Sequence, residues 1–68
     1  MPMRIRVNGQ IVEAVPSLTV AALLAELGYE NQMVAVAINE TCIPRQSFGQ
    51  QTLKDSDSVE ILAPMAGG

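Results

Sequence analysis

Only one stretch of this chain repeats its apolar residues at helical spacing. Between Thr19 and Leu27, the residues Val20, Leu23, Leu24 and Leu27 fall at i, i+3, i+4 and i+7, on one face of a helix. Its ends are marked too. Thr19 suits the N-cap, Leu18 and Leu23 a hydrophobic staple over the first turn, and Gly28 the left-handed position that stops a helix. A chain of 68 residues with one short helix must build the rest of its order from sheet. That helix can cover only one face of the sheet.

The remaining pattern is of strands. Met3-Arg4-Ile5-Arg6-Val7 alternates strictly, with Met3, Ile5 and Val7 on one side and Arg4 and Arg6 on the other. Asn8-Gly9 follows, a strong hairpin signal because both central residues of a type I′ turn need positive φ. Gln10 to Val15 is the returning strand, ended by Pro16-Ser17. Met33 to Ile38 is apolar at every position and reads as a central strand, apolar on both faces. Asn39-Glu40 is a weaker turn, Thr41-Cys42-Ile43 a short strand stopped by Pro44, and Gln46 to Leu53 loop and short turns anchored by Phe48 and Leu53. Asp55-Ser56-Asp57 makes a tight turn into the last strand, Ser58 to Ala63. The expected class is α+β: a mixed sheet of four to five strands with one main helix on one face. Residues 1–63 form the domain and 64–68 a flexible tail.

Composition excludes several functions. The chain has no histidine and one cysteine, which excludes a zinc site of the usual ligand count and any His-paired nucleophile. Four basic residues against seven acidic ones leave a net charge of −3. With one Tyr, one Phe and no Trp, the chain lacks both the basic footprint and the stacking platform of a nucleic-acid binder. No apolar run is long enough to span a membrane. A lone cysteine makes no intrachain disulfide, so a reducing compartment such as the cytoplasm is expected. No metal site and no catalytic residue are expected, and the free protein is read as a monomer.

A sheet covered on one face, with apolar residues on the other register, leaves apolar surface for a partner. The competing arrangement is that the late loop, with Phe48, folds over it. Arg4, Arg6, Arg45, Leu62 and Phe48 are the docking candidates, Arg45 fitting either an acidic partner or plain solvation. Cys42 is read as a small buried apolar residue. Asp55 and Asp57 are read as turn residues, being too few for a calcium site.

The chain ends Pro64-Met65-Ala66-Gly67-Gly68. Nothing after Pro64 carries a helix or strand pattern, so this segment is expected to be mobile. Two residues without side chains suit a narrow slot in another protein, and leave the Gly68 carboxylate free of Cβ crowding. Transfer of AMP from ATP would turn that carboxylate into a mixed anhydride, which a sulfur nucleophile could convert to a thiocarboxylate.

Across its length the sequence resembles the ThiS-type sulfur carriers of thiamin (thiazole) biosynthesis, which are ubiquitin-like β-grasp proteins. The matching pieces are Val7-Asn8-Gly9, Thr19-Val20 with Leu23-Leu24, Val34 to Asn39, Ile43-Pro44-Arg45, Leu53-Lys54-Asp55 with Asp57-Val59-Glu60-Ile61, and Gly67-Gly68. The resemblance implies that the first and last strands are parallel neighbours, which would bring Arg4 and Arg6 near Glu60. It implies no bound cofactor. A ThiF-type adenylyltransferase would consume ATP and Mg to activate Gly68, a sulfur donor protein would supply sulfur, and a ThiG-type thiazole synthase would receive it. Gly67, Ala66 and Met65 would be the tail that partners recognise. The sequence departs from the family at Ser56, where glycine is usual, at Phe48, where tryptophan is common, and at Pro64-Met65-Ala66. A proline before the tail is similar to the small subunit of molybdopterin synthase, which uses the same terminal chemistry. That alternative stays open, as does a ubiquitin-like interaction module or modifier without sulfur transfer.

Overall fold

Asn8 and Gly9 take φ of 49° and 87°, the left-handed pair that a type I′ turn requires. The turn joins β1 (Met3–Val7) to β2 (Gln10–Ala14) in the expected antiparallel hairpin, with Val7 opposite Gln10 and Met3 opposite Ala14. The structure, a computed structural model, describes residues 1–30 and 32–63.

The helix α1 (Val20–Glu26) starts where the sequence places it. Its first three backbone N–H groups, which no helix satisfies internally, all find partners. Val20 N–H donates to the Gln51 carbonyl at 2.9 Å, Ala21 N–H to the Phe48 carbonyl at 3.0 Å, and Ala22 N–H to Thr19 Oγ1 at 3.1 Å. At the other end Gly28, at φ 89°, closes a Schellman turn. Tyr29 N–H donates to the Leu24 carbonyl at 2.8 Å and Gly28 N–H to the Ala25 carbonyl at 3.2 Å. That turn changes one expectation. Leu27 is 43% exposed rather than on the core face, while Tyr29, brought back against Leu24's turn, packs on the core.

The sheet adds β3 (Ala35–Ile38), β4 (Thr41–Ile43) and β5 (Ser58–Leu62), in the order β2-β1-β5-β3-β4. The pair β1–β5 is parallel and all other neighbours are antiparallel. The apolar run supplies an interior strand, as expected, with β3 paired to β5 on one side and β4 on the other, while the middle position belongs to β5. Only Ala35–Ile38 of that run is strand, and Met33 is exposed. The fold is the β-grasp: one helix held against a five-stranded mixed sheet.

Strand alternation sends Met3, Ile5, Val36, Ile38, Val59 and Ile61 under the helix, where they meet Leu18, Val20, Leu23 and Leu24. Ile5, Val20 and Val59 are fully buried. Each such side chain contributes roughly 1.5–3 kcal/mol by leaving water. The segment after Pro44 forms a 3₁₀ turn (Arg45–Ser47) and packs Phe48 and Leu53 into the same core. Leu53 N–H donates to the Leu18 carbonyl at 2.8 Å. The late loop thus closes the helix side and leaves the other face of the sheet open.

Candidate functional site

Two asparagines fix the middle of the sheet. Beyond the end of β1, the Asn8 side chain behaves like one more peptide group. Its Oδ1 accepts from Ile61 N–H at 2.8 Å and its Nδ2 donates to the Ile61 carbonyl at 3.3 Å. Asn39 opens the β3–β4 turn, with φ of 50° there and 70° at Glu40. Its Oδ1 accepts from Ser58 N–H at 3.0 Å and its Nδ2 donates to Asp57 Oδ1 at 3.0 Å. Each hairpin turn thus clamps β5 through its first residue. The turn composition identified these asparagines as turn residues, but not as bridges to a strand some 20 to 50 positions away.

The turn before β5 bears out the reading of its two aspartates. Asp55 Oδ1 accepts from Arg4 N–H at 2.9 Å and Asp57 Oδ2 from Lys54 N–H at 2.8 Å. Both carboxylates serve backbone donors. Among the described residues no three His, Cys, Asp or Glu side chains are grouped to hold a metal.

The face opposite the helix follows from the register. It carries Ile11 and Glu13 of β2, Arg4 and Arg6 of β1, Ser58, Glu60 and Leu62 of β5, Ala35 and Ala37 of β3, and Cys42 of β4. Leu62 is 71% exposed. Beside it lies a shallow hollow of about 110 Å³ bounded by Ala35, Ala37, Cys42 and Glu60. Small side chains on β3 make its floor, so an apolar side chain from a partner could settle against Leu62. A second groove, of about 310 Å³, runs between Arg4, Arg6, Ile11, Ser56 and Ser58.

Several expectations are corrected here. Cys42 is exposed, not buried, because pairing with Ala37 turns it to the open face. Arg6 stands opposite Ser58, with Glu60 the next residue of β5 on the same face, whereas Arg4 lies beside the Asp55 turn; Glu60 itself stands opposite Ala37 and also lines a hollow with Asn39 and Glu40. Phe48 is buried in the core on the helix side, so it is an anchor rather than a docking residue. Arg45 is exposed on that same side, near Tyr29 and Phe48. Of the five docking candidates, the structure brings Arg4, Arg6 and Leu62 to one face and separates Arg45 and Phe48 from them. Met65, Ala66, Gly67 and Gly68 lie outside the described residues.

Among the described residues, no helix is long and apolar enough to cross a membrane. Leu62 adds one geometric fact: it ends the middle strand, so a protein contacting the open face there touches the strand from which the last six residues continue.

Comparison with known proteins agrees with this architecture. The chain matches the ThiS family over residues 5–68. It is 32% identical over 66 residues to the sulfur carrier protein ThiS of Escherichia coli (strain K12), covering 97% of this chain and 100% of that one. It is 39% identical over 66 residues to a thiazole synthase of Paramagnetospirillum magneticum, covering 97% of this chain but spanning only 20% of that protein's length. The crystal structure of the thiamine biosynthesis protein ThiS from Geobacter metallireducens superposes with a TM-score of 0.79 at 38% identity, covering 97% of this chain and 100% of that one. With a family match over nearly its whole length and a full-length relative of the same β-grasp architecture, this chain belongs to the ThiS family.

Proposed function

We propose that the chain is a sulfur carrier of thiamin thiazole biosynthesis, acting as a protein co-substrate rather than a catalyst. The observation that carries this reading is the family match, which runs through to Gly67 and Gly68. In this reading a Gly68 carboxylate oxygen attacks the α-phosphorus of ATP on a ThiF-type adenylyltransferase, with Mg assisting, and pyrophosphate leaves. The terminal sulfur of a donor protein's cysteine persulfide then attacks the carbonyl carbon of the mixed anhydride, and AMP leaves. A thiolate cleaves the sulfur–sulfur bond of the resulting acyl disulfide, which releases the thiocarboxylate and leaves a disulfide on the donor side. That sulfur, itself nucleophilic, passes to a ThiG-type thiazole synthase.

Such chemistry asks little of the carrier's own side chains. The absence of histidine suits it, since the partners supply acid, base and metal. The open face around Leu62, Arg4 and Arg6 serves as the docking surface, while Gly67, Ala66 and Met65 enter the partner's slot. Relatives named thiazole synthase that contain a stretch similar to this chain support a synthase as recipient. The cytoplasm, with its reduced thiols, is the compartment this reading expects.

The test is intact-protein mass spectrometry, with fragmentation, of the protein isolated from its own cells. The expected result is a fraction in which sulfur replaces one oxygen at Gly68. An unmodified Gly68, unchanged after incubation with ATP, a cognate adenylyltransferase and a sulfur donor, would overturn the carrier reading. The interaction-module alternative would then stand.

A further inference from the structure

The two edges of the sheet are unequal. β4 is three residues long and is followed at once by Pro44, so it offers little to pair with. β2 is five residues long, Gln10-Ile11-Val12-Glu13-Ala14, and holds no proline and no lysine. Among the described residues, no segment pairs with its outer side. Ile11 and Val12 are exposed, at 62% and 38%, on opposite faces of this edge. An edge of that kind is a template for another strand.

The register says which strand fits. In a hairpin closed by a two-residue turn, the closing pair is hydrogen-bonded and the pairs then alternate. Val7–Gln10, Ile5–Val12 and Met3–Ala14 are therefore the bonded pairs inside the hairpin. Ile11 and Glu13 point their backbone N–H and C=O groups outward. We propose that β2 pairs antiparallel with β2 of a second copy of this chain, about a two-fold axis through Val12, to give a continuous ten-stranded sheet.

Three features favour a second copy over an unrelated strand. Ile11 falls opposite Glu13 of the copy, and Glu13 opposite its Ile11, so the four outward groups of each strand pair completely. Val12 meets Val12 of the copy in a non-bonded pair, where side chains approach most closely. The charges also match. Within one chain Arg4 stands opposite Glu13, but Arg6 stands opposite Ile11 and Ser58, without a carboxylate. In the dimer Glu13 of the copy joins that row next to Ile11. With strands about 4.8 Å apart, its carboxylate and the Arg6 guanidinium can meet over the isoleucine. Each glutamate then lies between two arginines, and no like charges face each other. The interface is at the small end, below about 1,200 Å², so association is weak, with a Kd on the order of 10⁻⁴ M. This departs from the monomer that the sequence alone suggests.

Sedimentation equilibrium across a concentration series up to ~1 mM tests it. The expected result is a mass that rises from 7.2 kDa towards twice that value. Val12→Lys, which brings like charges together on the axis, and Glu13→Pro, which removes an outward N–H not used in the hairpin, should both stay monomeric. Circular dichroism and thermal melting check that each variant remains folded. Leu62→Glu, on the open face, should associate like the parent. A parent mass fixed at 7.2 kDa throughout, or association that survives both β2 changes, or association lost in Leu62→Glu alone, would overturn the proposal.

Discussion

Ser56 is where this sequence and its fold disagree most locally. It sits at φ 73° in the turn closed by Asp57 N–H donating to the Lys54 carbonyl at 3.1 Å. The left-handed region costs a residue with a Cβ roughly 1–2 kcal/mol, and the Ser56 hydroxyl recovers little through an exposed contact with Asp55. Surrounding bonds hold the turn in place regardless: Ser56 N–H donates to the Arg4 carbonyl at 2.7 Å, and both neighbouring aspartates cap backbone donors. Glycine removes the steric cost but adds about 0.5–1 kcal/mol of chain entropy in the unfolded state. The expected outcome for Ser56→Gly is a net gain of about 0.5–1 kcal/mol and a rise in Tm of about 4 °C, read by thermal unfolding. A loss of stability would show that the turn is not strained at this residue. The sequence exposed this mismatch, since Asp-Ser-Asp stands where glycine is usual. It did not expose Glu40, at φ 70°, because Asn39-Glu40 reads as an ordinary weak turn until the hairpin's geometry is known.

At the scale of elements, the strands, the hairpin turn and both ends of the helix were legible, because period-two alternation, Asn-Gly and the Thr19 and Gly28 caps are local signals. What sequence could not supply was order in the sheet. The most apolar run, Met33 to Ile38, reads as central and does supply the interior strand β3, but the middle position belongs to β5, which carries Ser58, Glu60 and Leu62 on one face. Cys42 reads as buried yet is exposed because which way a short strand faces depends on its register with β3. The β1–β5 pairing explains why so mixed a strand can sit in the middle. β1 matches it directly at only two positions, Arg6–Ser58 and Val7–Val59, and Asn8 extends the match with its side-chain amide. Asn8→Gly keeps the positive φ but removes both bonds to Ile61, at about 1 kcal/mol each when partly buried. A loss of about 2 kcal/mol in urea unfolding is expected, with faster hydrogen exchange at the Ile61 amide. An unchanged Ile61 exchange rate would show that the asparagine is a turn residue and nothing more.

For the whole molecule, the division of labour between the two sheet faces is the central feature. The helix and late loop consume most of the large apolar side chains on one face, and the open face is left with small residues, two arginines, two glutamates, Ile11 and Leu62. In the proposed carrier reading this separates stability from recognition, so a change on the open face should alter partner binding without altering the fold. Leu62 tests that separation because it is 71% exposed and its substitution opens no cavity. Replacing an exposed side chain away from the core changes stability by about 0.5 kcal/mol or less. If a partner buries the leucine, however, roughly 1.5–3 kcal/mol of its docking energy comes from that side chain. Leu62→Glu should therefore slow ATP-dependent activation of Gly68 by the adenylyltransferase by about 10- to 100-fold under subsaturating conditions, while its melting temperature stays close to the parent's. Leu27→Glu, an equally conservative control on the helix side, should leave activation unchanged. A Leu62→Glu protein that is activated at the parental rate would move the docking surface off the open face, and equal slowing in both variants would trace the effect to charge or folding rather than to the surface beside β5.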